Sequence, residues 1–335
     1  MLRFIDLFCG IGGFRYGLQK ACDSLAIEHK CVFSSDIDSF CKISYATNFK
    51  EAPHGDITQI DSHNIPDFDI LLAGFPCQAF SIIGKRKGFQ DTRGTLFFDI
   101  ARILSAKKPK WFVLENVKQL IGHNKGETLK VIIGVLEDLG YHVEYSLLNA
   151  LDFGLPQKRE RIWIVGSLLG LEHFSISTRG SVSYTLDDIL EKEISPSLYA
   201  SDQIQHKRKE KIKAIPKETT IWHENKSGNI SALPYSCALR AGASYNYLLV
   251  NGKRRLSSRE MLRLQGFPEE FIIAVNDAQL RKQAGNSLPV NVAEAVIKSL
   301  LLSQMEFINV TSKTKNCGKI YTALSSESLS EHISM

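Results

Sequence analysis

The chain is 335 residues long, 44% hydrophobic and 23% charged, with a formal net charge of +5. That composition belongs to a globular protein with a sizeable core and room for two domains, and its mild positive charge permits a polyanionic partner without requiring one. No apolar run is long enough to span a bilayer and no signal peptide opens the chain, so a cytoplasmic protein with no membrane contact is expected. The seven cysteines (Cys9, Cys22, Cys31, Cys41, Cys77, Cys237 and Cys317) include no C-x-x-C pair, which argues against a disulfide framework and against a zinc site.

Residues 2–8 (LRFIDLF) read as a strand entering a glycine-rich turn, CGIGGF at 9–14, and then a helix. Glycines let the backbone approach a ligand closely, and the helix N-terminus behind them favours polar or anionic groups. The G-x-G-x-x-G spacing is absent, however, and a merely tight turn has the same composition. A second strand over 31–35 ends at Asp36, about where nucleotide-binding α/β folds place an acid on ribose hydroxyls. Asp38 competes for that role. Asp56, in GDIT at 55–58, is either a ligand group or an exposed loop acid.

The run ILLA at 70–73 is a buried strand stopped by Gly74 and Pro76, so Cys77 stands just beyond a strand end, the edge at which open α/β sheets bind ligands. A cysteine by itself is more often a small buried hydrophobe; its position distinguishes this one. Gly84, Gly88 and Gly94 punctuate the basic stretch after it, which reads as a moving lid or as a surface loop. Phe97, Ile100, Ala101 and Leu104 mark the buried face of a helix. WFVL at 111–114 is a further buried strand leading into Glu115-Asn116-Val117. A carboxylate there is either partly desolvated and suited to proton sharing or an acid stabilising a helix N-terminus.

A strand starting at QKRER (157–161) would put Gln157, Arg159 and Arg161 on one face and Lys158 and Glu160 on the other. Two guanidiniums facing a cleft require an anionic or carbonyl-rich partner; exposed alternating charge is the other reading. The strand–helix alternation lapses from 167 to about 254, where the basic run at 206–213 reads as a solvated helix face. SSRE at 257–260 is a capping box opening a short helix that Gly266 and Pro268 end. QAGNSLP at 283–289 is expected to start a final amphipathic helix through Val290, Ala293, Ile297 and Leu301, with a poorly ordered polar tail beyond it.

The stretches DLFCGIGGF (6–14), GFPCQAFS (74–81), ENV (115–117), QKRER (157–161), RRLSSREMLRLQGFP (254–268) and GNS (285–287), in this order over nearly the whole chain, resemble the cytosine-C5 DNA methyltransferases. The bacterial enzymes of restriction-modification systems are the nearest pattern. The resemblance implies an α/β, Rossmann-like, S-adenosylmethionine-dependent methyltransferase domain from residues 1–166 and 255–305, a smaller irregular target-recognition domain over 167–254, and a C-terminal tail at 306–335. It implies S-adenosylmethionine bound by Phe8, Gly10, Ile11, Gly12, Asp36, Ile37, Asp56, Ile57, Pro76, Leu96, Asn286 and Ser287, and no metal. Cys77 would add to C6 of a flipped-out cytosine, Glu115 would meet N3 and the exocyclic amine, Arg161 would meet O2, and Arg159 would buttress them. Gln78, Ser81, Lys85, Arg86 and Arg93 would contact DNA.

The implied partners are double-stranded DNA and, functionally, a restriction endonuclease of the same specificity, with the protein itself a monomer. Three positions depart from the family pattern: Asp36 where glutamate is common, Ile37 at a stacking position aromatic in some members, and Ala238-Leu239 where a threonine-leucine pair is frequent. Two other readings share the motifs. A tRNA cytosine-C5 methyltransferase is disfavoured by the long 167–254 segment, and a catalytically silent DNA-binding regulator by the intact Cys77, Glu115 and Arg161.

Overall fold

The computed structural model describes residues 1–76, 96–178, 183–212 and 214–305. Cys77, Gln78, Ser81, Lys85, Arg86, Arg93 and the tail at 306–335 lie outside the described residues.

Strands β1 (Leu2–Leu7), β2 (His29–Ser35), β3 (Ile70–Gly74), β4 (Trp111–Val117) and β5 (His142–Asn149) join with β7 (Glu160–Ser167) in one sheet of order β2-β1-β3-β4-β7-β5. The first four run parallel, and β7 is antiparallel to both its neighbours. Parallel strands covered on both faces read as continuous apolar runs. Ile70, Leu71, Leu72 and Ala73 are accordingly all fully buried. Alternation along each strand feeds two cores. Phe4, Leu72, Val113 and Trp163 face one, with Leu18 of helix α1 (Gly13–Ser24); Ile5, Leu71, Ala73 and Phe112 face the other. Helix α2 (Ser39–Phe49) follows β2, while α3 (Leu96–Lys107) and α4 (Glu127–Asp138) cover the second core through Ile100, Leu104, Ile132 and Leu136.

The segment after β7 holds two short helices, α5 (Leu186–Ile189) and α6 (Asp202–Glu210), and an antiparallel three-stranded sheet of β8 (Ile221–Glu224), β9 (Ile230–Leu233) and β11 (Leu248–Val250). Strand β10 (Ser236–Cys237) pairs instead with β6 (Gln157–Lys158). Leu186, Ile221 and Leu248 share a core with Met261 and Leu264 of α7 (Ser258–Leu264) and Ala284 of α8 (Asp277–Asn286). The chain then enters a last helix, α9, over 290–305.

Three local readings change. Strand β4 does not stop at Leu114 but continues through Glu115 and Asn116 to Val117, because β7 supplies partners for each; Glu115 is therefore a strand residue and not a helix N-terminal acid. Gln283–Asn286 end a helix and do not begin one. Pro289 lacks an N–H and disfavours helix at the residue before it, so α8 stops, and a new helix starts with Val292 and Ala293 N–H donating to the Pro289 carbonyl. Within the basic run, Arg208 is buried and donates to the carbonyls of Trp222 and Asn246 and to Glu224, while Lys207 and Lys209 are exposed. The capping box is present: Ser257 and Glu260 reciprocally close the start of α7. Among the described residues no helix is long and apolar enough to cross a membrane.

Glu260 also joins the 167–254 segment to α7. Fully buried, it takes Arg254 in a two-pronged pair at 2.8 and 2.9 Å and accepts the Glu191 N–H at 2.9 Å. Removing one partner of a buried pair leaves an uncompensated charge. Arg254→Ala should therefore lower stability by about 3 kcal/mol in urea unfolding, and a loss under about 1 kcal/mol would place the pair among exposed ion pairs in energetic weight.

Candidate active site

The C-terminal ends of β1, β2, β3 and β4 open on a cleft of about 530 Å³. Phe8, Gly10 and Ile11 line it from the turn after β1, Asp36 and Ile37 from the end of β2, and Asp56 and Ile57 from the following loop. Pro76 and Leu96 flank the segment that carries Cys77, and Asn286 and Ser287 close the cleft from the end of α8. Gly12 does not line it. It is the N-cap of α1 with φ of 86°, and a Cβ there would stand 2.3 Å from the Phe49 ring.

The two candidate ribose acids are differently engaged. Asp36 accepts Gly10 N–H on Oδ2 and Asp38 N–H on Oδ1, both at 2.8 Å, so each oxygen retains acceptor capacity. Burial pushes its carboxyl above the ordinary value, against those two hydrogen bonds. Asp38 spends one oxygen capping α2, on the Phe40 and Cys41 N–H groups. Beside Asp36, Ile37 presents an apolar side chain that is 75% exposed.

At the other end of the cleft, Arg161 Nε donates to Glu115 Oε1 at 2.9 Å. Arg161 sits opposite Val117 in the antiparallel register, which makes it the diagonal neighbour of Glu115 on one sheet face. Burial raises the proton affinity of Glu115, and Arg161 followed by Arg159 lowers it. Arg159, only 2% exposed, pairs with no carboxylate among the described residues. It donates to the carbonyls of Leu239 at 2.8 Å, Gly285 at 3.1 Å and Ser287. Burial and the adjacent Arg161 weaken its hold on its proton. The sequence pattern asked for an anionic or carbonyl-rich partner; Arg161 has the anion and Arg159 the carbonyls. Lys158 is exposed, and Gln157, on the face of Arg159, is buried.

Three further residues shape the site. The Asn116 side chain donates to the Phe75 carbonyl at 2.9 Å, fixing the chain just before Pro76. Gln157 accepts the Leu239 N–H at 2.9 Å and donates to Leu264 O at 2.9 Å, coupling the 167–254 segment to α7. Both lie within recognised motifs, yet only coordinates assign their partners. Asp6 is different in kind: it lines the cleft from near the C-terminal end of β1 and is 1% exposed. Its Oδ2 accepts Tyr45 Oη at 3.3 Å, Tyr45 Oη in turn accepts Arg15, and Oδ1 has no partner among the described residues. A lone acid in the apolar run FIDLF is the signal that could have found it. Among the described residues, no cluster of three or more His, Cys, Asp or Glu side chains could hold a metal ion.

Residues 2–302 match the family described as C-5 cytosine-specific DNA methylase. The chain is 53% identical over 301 residues to the type II methyltransferase M.NgoBI of Neisseria gonorrhoeae, across 89% of this chain and 92% of that protein. It is 52% identical over 324 residues to the type II methyltransferase M.HaeII of Haemophilus aegyptius, across 96% and 97% respectively. Among solved structures, the S. pombe Dnmt2 methyltransferase matches with a TM-score of 0.70 at 23% identity, over 91% of this chain and 99% of that one, a likeness of fold.

Asp6 carries a pH signature. Burial holds its carboxyl at about 8, against an ordinary value of 3.8. Between those values the folded chain keeps a proton that the unfolded chain has lost, so this group makes stability fall as pH rises through the window. Asp6→Asn should remove that contribution, flattening the decline by up to about 1.4 kcal/mol per pH unit in urea unfolding at pH 5 to 7. Parallel curves for the two proteins would mean that Asp6 is ionised in the folded state.

Proposed function

The chain belongs to the C-5 cytosine-specific DNA methylase family and is a DNA cytosine-C5 methyltransferase; from that premise we propose that it uses S-adenosylmethionine to methylate a cytosine flipped out of a specific duplex sequence. The observation that carries the reading is the pair of buried Glu115 and half-buried Arg161 opening on the same cleft as Asp36 and Pro76. The donor set fits the cofactor. Asp36 has two oxygens with spare acceptor capacity for a diol, Ile37 offers an apolar face for a flat ring, and Asp6 has a buried oxygen with no partner among the described residues in a cleft that must receive a cation. Phe8, Gly10, Ile11, Asp56, Ile57, Leu96, Asn286 and Ser287 complete the pocket, while Gly12 acts through the helix cap behind it. When bound, S-adenosylmethionine supplies an electrophilic methyl group.

Cytosine C5 is too weak a nucleophile until the ring's conjugation is broken. In this mechanism the Cys77 thiolate adds to C6, and the electron pair moves towards C5 and the ring heteroatoms. Glu115, whose burial favours the protonated carboxyl, shares its proton with N3 and accepts from the exocyclic amine, and Arg161 donates to O2. Both act on charge that grows in the transition state. Arg159 is a positioning residue. Once C5 carries the methyl group, loss of the C5 proton and breakage of the Cys77–C6 bond restore the ring.

Gln78, Ser81, Lys85, Arg86 and Arg93 contact the DNA in this reading, and residues 167–254 read base edges in the major groove as a separate domain. The enzyme acts as a monomer in the cytoplasm, where a restriction endonuclease of the same specificity is its functional counterpart.

Expression of the protein followed by bisulfite sequencing of the host DNA should give methylated cytosine at one short sequence, and none with Cys77→Ser. A duplex carrying 5-fluorocytosine at that position should become covalently bound through Cys77; an adduct mapped to any other cysteine would refute the assignment. Exchange of residues 167–254 for the counterpart from a relative of different specificity should move methylation to the donor's sequence. An active chimera that kept the original sequence would locate recognition elsewhere.

A further inference from the structure

A second cavity, of about 190 Å³, lies where the 167–254 segment meets α7 and α8, and it shares no lining residue with the cleft. Leu248, Leu256 and Met261 contribute apolar walls, whereas Arg240, Arg255 and Arg281 bring three guanidiniums to the same space. Arg281 lies 4.3 Å above the Tyr245 ring centroid and Arg255 5.9 Å from it, while Arg240 stacks at 4.9 Å on Tyr247. Carbonyl and amide oxygens hold two of them in place. Arg281 donates to Ala243 O at 2.9 Å, and Arg255 donates to Asn246 Oδ1 and Ser197 O.

None of the three makes an ion pair among the described residues, unlike Arg15, Arg161, Arg208, Arg254 and Arg263. The one carboxylate in the lining, Asp277, accepts the Ser258 hydroxyl. Like charges gathered on neutral supports repel one another, and an anion placed among them relieves the repulsion while receiving directed N–H donors. Aromatic rings pre-order the guanidiniums without neutralising them.

Location identifies the anion. The residue before Arg240 is Leu239, whose carbonyl holds Arg159 at the cleft. The next residue, Ala241, abuts the end of α8: a Cβ on Gly285 would stand 2.3 Å from its nitrogen, immediately before Asn286 and Ser287 of the cleft wall. A polyanion with one base in the cleft thus has its backbone within reach of this rim. We infer that Arg240, Arg255 and Arg281 grip a DNA backbone phosphate near the flipped cytosine, setting the register of the duplex without reading its bases. This rests on the proposed function.

The test is fluorescence anisotropy of the full chain with two labelled duplexes, one containing the methylated sequence and one scrambled, across a salt series. Arg240→Gln and Arg281→Gln should each weaken binding to both duplexes by a similar factor. Each should also make the plot of log Kd against log salt shallower, the Arg240→Gln/Arg281→Gln double variant by about 0.9 for the one phosphate released, with calorimetric cofactor affinity unchanged. Arg281→Lys should keep most of the slope. Arg240 is exposed and its side chain stacks on the Tyr247 ring without an ion pair among the described residues, so its variant keeps the fold. Wild-type slopes in the folded glutamine variants would overturn the inference, as would a loss confined to the methylated sequence. A wild-type protein that neither binds nor methylates any duplex would instead refute the proposed function, and the inference with it.

Discussion

Burying the Arg159 guanidinium without a carboxylate of its own is the demand around which the site is built. Removing such a charge from water costs several kcal/mol, offset only when its donors are met and opposite charge is near. Two of the carbonyls that meet them, Gly285 and Ser287, belong to the end of α8, where a helix leaves acceptors without intrahelical donors and carries partial negative charge. The helix end needs a donor as much as the arginine needs acceptors. That reciprocity explains the break before α9: a continuous helix through 287–289 would consume those carbonyls, and Pro289 prevents it. The third carbonyl, Leu239, brings the 167–254 segment to the same point.

Arg161 and Glu115 inherit their geometry from this arrangement. They occupy antiparallel neighbours at the mouth of an otherwise parallel region, so the diagonal of the register sets their separation instead of loop flexibility. Asn116 adds a fixed point on the adjoining strand end. Burial raises the proton affinity of that carboxylate, and the two cations about it, Arg161 first, act in the opposite direction.

Much of this was legible in the sequence, and the part that was not has physical reasons. Apolar runs marked β1, β3 and β4, since strands buried on both faces need no polar alternation, and the period of two correctly separated Gln157 and Arg159 from Lys158. Asp36 and Glu115 were named because each follows a strand-like run, whereas Asp56 entered through the resemblance. The end of β4 was misjudged because a strand's last residues are decided by its neighbour's length, and the antiparallel sense of β7 has no local signature. Gln283–Asn286 carry small and polar residues that suit either end of a helix, so only the tertiary demand of Arg159 separates stop from start. Arg208 was unreadable for a related reason, and Asp6, though marked by its apolar run, could not be assigned its partner. A buried ionisable group is recognisable only from partners far away in the chain, as with Arg208 and the Asn246 carbonyl or Asp6 and the Tyr45 hydroxyl.

The bonds that fasten Leu239 to the catalytic sheet run through its main chain alone: its carbonyl takes Arg159 and its N–H donates to Gln157. Every amino acid except proline presents the same two groups. The join at Leu239 between the cleft and the 167–254 segment is therefore blind to the side chain at that position, unlike the Arg254–Glu260 pair at the segment's end. Under the proposed function, in which residues 167–254 select the target, a scaffold joined in this way can acquire new target sequences by substitution in one segment while the residues that act on the cytosine stay in register, a division of labour that favours diversification.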